Sequence, residues 1–294
     1  MKLKDNQLLT LKNIKLVSAV LFVLLLAVRL YQSFALTDGA TGFFTSDNLT
    51  VPLMFILAVG AVVFVTAACY ITKNFPGGDV KEKPPVIYLV AGIFFSFVLL
   101  YDGLKGVKAM LQAGGGLASM KAAAGGNLGM ISAVFAVLAA FAILASLFIY
   151  IKTGSLTGKL SIPMLFPVIW AFAETLEFFS VTVSYLKVSQ LFLSIFSAAF
   201  LMIFLFENAR VLTGIGRKSS LWFFFATGII AAGLCLCTGI PALLVTAFAP
   251  EKAVVYCPFE LYTIGGGLYA LASVFTRAEE KEPAQITENV TETE

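Results

Sequence analysis

Long, nearly uncharged apolar runs recur along this chain, and they constrain its fold more than any other feature. Each is about as long as the roughly 20 residues that a helix needs to cross the hydrocarbon core of a bilayer. In chain order, the runs cover residues 14–36, 51–72, 85–101, 128–151, 162–185, 190–206, 221–248 and 258–275. The sequence therefore predicts an all-α, polytopic transmembrane bundle of about eight spans.

The composition indicates that lipid, and not water, surrounds most of this bundle. Hydrophobic residues make up 59% of the chain and charged residues 13%, against about 45–50% and about 25% in soluble proteins. A soluble domain of 294 residues cannot hide that excess, because it must coat its surface with polar groups. We expect residues 1–276 to form one transmembrane domain in the plasma membrane, followed by a disordered acidic cytoplasmic tail over 277–294.

The distribution of lysine and arginine predicts the orientation of the spans. If the N-terminus is cytoplasmic, the cytoplasmic segments hold 14 of the 20 basic residues and the external segments hold 5, the remaining one being Arg29. Because cytoplasmic loops are enriched in these residues, both termini are predicted to lie inside. Three external lysines in 103–127 run against the rule, and this least hydrophobic stretch is predicted to form a short interfacial helix followed by a flexible link.

A pair of glutamates in the fifth run is the most unusual feature inside the predicted membrane region. Glu174 lies near the middle of 162–185, and Glu177 follows at a spacing that places both carboxylates on one helix face, together with Trp170. Two carboxylates so close in a low dielectric do not both stay ionised, which suits the handling of protons or cations. The alternative is a purely structural role, in which they hydrogen-bond to neighbouring helices.

Three further charged residues are predicted to lie in the outer half of the bilayer or at its external edge. Arg29, in the first run, either extends outward to water or pairs with Glu177, and the pair is the preferred interpretation. Asp102 ends the third run and Glu260 begins the eighth. Together these groups predict a polar cavity that opens outward, whereas taken singly Asp102 and Glu260 are also typical interfacial residues.

Three consecutive glycines, Gly265, Gly266 and Gly267, interrupt the eighth run. Each weakens a helix by about 1 kcal/mol relative to alanine in water. They favour close packing against another helix or, less commonly, a broken helix that lines a cavity.

Several functional classes are excluded or disfavoured. Histidine is absent from the chain, which excludes imidazole metal sites and histidine-based catalytic triads. No cofactor, metal site or catalytic residue is predicted, and scattered basic residues argue against nucleic-acid binding. We expect a transporter of small solutes, or one coupled to ions, that lies in the lipid bilayer and binds a small molecule or an ion in an outward-facing polar cavity. The alternative is a non-catalytic sensory or accessory subunit that docks on a membrane protein partner and whose buried charges are structural.

Overall fold

The helices of the protein follow the predicted apolar runs. The computed structural model describes residues 11–37, 49–72, 85–113, 116–123, 125–153, 161–180, 188–213, 221–250 and 260–277. Within these ranges the helices are α1 (Leu11–Tyr31, continued by a π-helical turn, Gln32–Leu36), α2 (Thr50–Thr72), α3 (Val86–Gln112), α4 (Leu117–Ala123), α5 (Asn127–Thr153), α6 (Phe166–Ser180, after a 3-10 turn, Pro163–Leu165), α7 (Val188–Leu212), α8 (Leu221–Phe248) and α9 (Leu261–Arg277). The all-α prediction is confirmed.

Six of the described helices are long and apolar enough to cross a membrane: α1 with its π-helical turn, α2, α3, α5, α7 and α8. The protein is therefore a multi-pass membrane protein. The helices at the two other predicted spans are shorter: α6 has 15 residues and α9 has 17. Part of the fifth predicted span, 181–185, lies outside the described residues, as does the tail 278–294. The count of eight spans and their orientation stay predictions.

Two predicted boundaries are wrong. The third span was expected to stop at Tyr101, before a separate interfacial helix, but α3 continues to Gln112, and α4 is only a short helix beyond it. The sixth was expected to end at Phe206, but α7 continues to Leu212. In both cases polar residues remain helical because their neighbours pack against other helices. The extension of α7 leaves Glu207 only 2% exposed.

The central helix of the bundle is α8. Residues 224–235 of this helix are all buried, as expected for a helix that is apolar on every side. It packs against α1, α2, α7 and α9, whereas α3 lies between α5 and α9, and α6 lies between α5 and α7. Large apolar side chains such as Leu16 on α1 and Ile56 on α2 are exposed, at 66% and 68%. These outward faces are the surface that lipid would cover.

The end of the bundle at which α3 stops and α5 begins is called here the α4 end. Helices α1 and α6 run toward this end, and α9 starts from it. Close packing positions α3 against α5 there. A Cβ atom added to Gly103 would lie 2.9 Å from the carbonyl oxygen of Ala133 and 2.9 Å from the backbone nitrogen of Val137. Gly106 faces Ala133 in the same way, at 2.6 Å from its Cβ. The two backbones are thus as close as glycine permits.

The three glycines of α9 also serve close packing. The helix runs unbroken through Gly265–Gly267. A Cβ atom on Gly266 would lie 2.7 Å from a methyl carbon of Leu201, and one on Gly267 would lie 3.0 Å from Cγ of Leu236. The structure therefore shows the close-packing arrangement and not a broken helix.

Adding a methyl group at the contact between α3 and α5 is expected to destabilise the protein. In Gly103→Ala the new methyl group meets backbone atoms that cannot move aside, so we expect the free energy of unfolding to fall by about 1–3 kcal/mol. Gly60→Ala on α2 is the matched control, because a Cβ at Gly60 meets nothing within 4 Å. Equilibrium unfolding in mixed micelles measures both. Equal stability of the two variants would show that α3 and α5 do not pack this closely.

Candidate functional site

Four carboxylates meet at the α4 end of the bundle. Asp102 comes from α3, Glu174 and Glu177 from α6, and Glu260 from the residue that precedes α9. They lie close enough for their charges to interact: Asp102, Glu174 and Glu177 each repel a negative charge on Glu260, and Asp102 and Glu177 repel one on Glu174. We call these four residues the acidic site. All four were predicted from the sequence, and three separate helices bring them together.

Glu174 links two helices at this site. The hydroxyl of Ser132, which is 5% exposed on α5, donates a hydrogen bond to Oε1 of Glu174 on α6. The indole of Trp170, one turn earlier on α6, also lies beside the Glu174 carboxylate. Trp170 is buried, with 2% of its surface exposed. Glu174 itself is only partly buried, so it is held by buried partners while keeping one side accessible.

Glu177 lies against the turn that connects α4 and α5. Its Oε1 is 3.5 Å from the position that a Cβ atom on Gly125 would take. Gly125 has a φ of 81°, in the left-handed region that favours glycine. The turn can therefore bring its backbone next to the carboxylate, and a larger residue at this position would be both strained and crowded.

The remaining two carboxylates have polar neighbours of different kinds. Glu260 lies beside the hydroxyl of Tyr262, at the start of α9. Asp102 lies near Lys105, which supplies an opposite charge from the next turn of α3. Even so, none of the four carboxylates forms an ion pair with a lysine or arginine that the structure describes, whereas Arg210 and Glu207 pair elsewhere in the bundle.

An aromatic column leads from the acidic site into the bundle. Trp170 packs edge-on against Tyr262, with ring centroids 5.2 Å apart, and against Phe95 at 6.0 Å. Phe95 stacks on Tyr269 at 5.6 Å, and Tyr269 contacts Tyr88, also at 5.6 Å. The sequence predicted Trp170 but not Ser132 or the rest of this column, because apolar periodicity identifies a buried face but not the helix that it meets.

Arg29 does not belong to the acidic site. It is 1% exposed, so it does not extend into water. Its Nη1 donates to Oε1 of Gln32 at 3.0 Å and contacts the sulfur of Met54 at 3.9 Å. Since α1 packs on α2 and α8, whereas α6 packs on α5 and α7, the predicted pair between Arg29 and Glu177 is not formed. Both predictions for the Arg29 side chain are therefore wrong.

The donor set of the acidic site suits protons or loosely held cations. Carboxylates exchange protons and attract cations, and a surrounding of low dielectric strengthens both effects. Among the residues that the structure describes, no three Asp, Glu or Cys side chains are arranged to hold a metal ion. Comparison with protein families, with characterised proteins and with solved structures finds no match to this chain. The chemistry of the site is therefore argued from its geometry alone.

Removing the hydroxyl that holds Glu174 is expected to destabilise the protein. In Ser132→Ala the carboxylate loses a donor in a partly buried position, and we expect the free energy of unfolding to fall by about 1–3 kcal/mol. Ser180→Ala is the matched control, because the Ser180 side chain is exposed and donates to a carbonyl of its own helix. Unfolding in mixed micelles compares the two. If both variants unfold like the unsubstituted protein, Ser132 does not support Glu174.

Proposed function

We propose that the protein transports a small solute across the plasma membrane, and that the acidic site couples transport to protons or to another small cation. The observation that carries this proposal is the gathering of four carboxylates, from α3, α6 and the residue before α9, without an ion pair to any lysine or arginine of the described ranges. A site built only for packing is better served by opposite charges or by apolar side chains, because like charges in a low dielectric repel strongly. Carboxylates gathered in this way become favourable when they hold protons or a cation.

The hydrogen bond between Ser132 and Glu174 supports a mechanism by which binding of a proton or cation would change the contact between α5 and α6. A charged carboxylate accepts a stronger hydrogen bond than a neutral carboxyl group. Arrival of a proton or cation at Glu174 would weaken this link between α5 and α6, and its departure would restore the link. Among the described residues, the titratable groups that interact with Glu174 are Glu177 on its own helix, Asp102 on α3, and Glu260 and Tyr262 at the start of α9.

The positive-inside rule supports placing the acidic site toward the external face. Helix α1 would then run outward from a cytoplasmic N-terminus, and the α4 end would be the external end of the bundle. A proton or cation at higher concentration outside would reach the acidic site directly. The solute would enter on the same side, through the outward-opening cavity expected from the sequence.

Neutralising Glu174 is expected to abolish coupled transport while the fold is kept. Proteoliposomes with an internal pH dye are mixed with a protein-free extract of cellular small molecules, and the change of internal pH is recorded. The unsubstituted protein should give a signal above empty liposomes, and Glu174→Gln should reduce it to that background, because an amide does not exchange the proton. Glu279→Gln makes the same chemical change in the C-terminal acidic segment and should leave the signal unchanged.

Two results would contradict proton coupling through Glu174. If the unsubstituted protein gives no signal above empty liposomes, it is not a proton-coupled transporter of any solute in the extract. If Glu174→Gln gives the full signal, coupling does not use Glu174. In that case the carboxylates are structural, and an accessory or sensory subunit is the better interpretation.

A further inference from the structure

The first turn of α9 fixes the backbone of one residue of the acidic site, Glu260. The backbone N–H of Thr263 donates to the carbonyl oxygen of Glu260 at 3.1 Å, and the Thr263 hydroxyl donates to the same oxygen at 2.7 Å. Thr263 is 3% exposed and faces α8, where a Cβ atom on Gly239 would lie 2.5 Å from its hydroxyl oxygen. The Glu260 side chain is only partly buried. Its carboxylate can therefore change hydrogen-bond partners without movement of the helix.

A buried hydroxyl lies beside this carboxylate. Tyr262 is 5% exposed, and its ring packs edge-on against Trp170 with centroids 5.2 Å apart. Negative charges on Glu260 and Glu174 both act on the Tyr262 hydroxyl. Among the described residues this hydroxyl is shielded from solvent and forms no hydrogen bond of normal geometry. A buried hydroxyl without a partner is unfavourable, and the side chain beside it that can supply one is Glu260.

A hydroxyl suits a carboxyl group that gains and loses a proton. It donates to the charged carboxylate, and its oxygen accepts from the O–H of the neutral carboxyl group, whereas lysine and arginine only donate and favour the charged form. Glu174 has such a partner in Ser132. Tyr262 offers the same to Glu260, which forms no ion pair with a lysine or arginine that the structure describes. We infer that Glu260 is a second proton-exchanging carboxyl group of the acidic site and that Tyr262 is the residue that positions it.

The exchange makes and breaks one covalent bond. A proton from solution forms an O–H bond on the Glu260 carboxylate, and the phenol keeps its own proton throughout. The hydrogen bond reverses, because Tyr262 donates to the charged form and accepts from the neutral one. Within the described ranges, the other titratable groups that interact with these two residues are Asp102 on α3, Glu174 and Glu177 on α6, and Cys235 on α8.

This inference rests on the proposed use of the acidic site for proton coupling, but its test needs no transport. Infrared difference spectra of the reconstituted full chain, recorded without solute between neutral and mildly acidic pH, detect protonated carboxyl groups through their C=O stretch. We expect Glu260→Gln to remove a part of the carboxyl band that Glu174→Gln retains. Glu279→Gln, in the C-terminal acidic segment, is the matched control and should keep the whole band.

The two glutamate variants separate the possible failures. If Glu174→Gln reduces the band and Glu260→Gln does not, the inference is wrong and the proposed coupling through Glu174 stands. If neither variant reduces it, both are wrong. If Glu260→Gln reduces the band although the proteoliposomes give no transport signal, proton exchange at Glu260 holds and the proposed transport function fails.

The role of Tyr262 is tested by Tyr262→Phe, which removes the hydroxyl and keeps the ring against Trp170. The part of the band that belongs to Glu260 should then appear at a pH higher by about one pH unit, because the charged carboxylate loses a donor. Tyr31→Phe, on α1 with 54% of the side chain exposed, is the matched control and should titrate like the unsubstituted protein. A purely structural tyrosine would not move this titration, so an unchanged midpoint in Tyr262→Phe would overturn the inference.

If Tyr262→Phe does not fold, unsubstituted protein labelled with ring-deuterated tyrosine takes its place. The label identifies the phenol C–O stretch, which changes when the hydrogen bond of the hydroxyl reverses. We expect a tyrosine band that responds to acidification in the unsubstituted protein and is lost in Glu260→Gln. A tyrosine band that does not respond, or that is the same in both proteins, would overturn the inference equally.

Discussion

The bilayer interior offers a side chain almost no hydrogen bonds, so each polar group carried into it needs a partner within the protein. Most hydroxyls in this bundle find one locally, as Ser96 does by donating to the carbonyl of Gly92 one turn earlier. Only a few of the described polar side chains form hydrogen bonds between helices. Arg29 and Gln32 tie α1 to α2 through the carbonyl of Thr50, and Ser132 ties α5 to Glu174 on α6. The acidic site departs from this pattern, because its four carboxylates gather without an ion pair to another residue that the structure describes.

The close approach of the α3 and α5 backbones determines where the acidic site lies. Gly103 and Gly106 allow α3 to lie directly against α5. The residue before Gly103 is Asp102, and the residue before its contact Ala133 is Ser132. The same contact that brings the two helices together therefore brings a carboxylate and a hydroxyl to the level of Glu174. Small residues in this bundle thus determine where the polar chemistry lies, in addition to how the helices pack.

Features of the fold and of the acidic site that depend on neighbouring residues of one helix could be predicted from the sequence, whereas contacts between helices could not. The long apolar runs predicted the helices, and the spacing of Glu174 and Glu177 predicted a shared face, because both follow from the helical period. The period does not say which helix meets that face. For this reason Arg29 was assigned to Glu177 although it lies with Gln32 and Met54.

Helix ends were misjudged for a related reason. The sequence predicts that the sixth span ends before Glu207 and Asn208, although α7 continues past them and buries both. Hydropathy falls at such residues whether they enter water or meet a neighbouring helix. An amide and a carboxylate within one turn of a long apolar run, with Arg210 to pair one of them, are a local signal that this helix continues.

The central claim is that Glu174 exchanges a proton inside the membrane region. Infrared difference spectra of the reconstituted protein, recorded between neutral and mildly acidic pH, measure this through the C=O stretch of protonated carboxyl groups. The account predicts a carboxyl band that appears on acidification, shrinks in Glu174→Gln and is unchanged in Glu279→Gln. A spectrum of Glu174→Gln identical to that of the unsubstituted protein would contradict it.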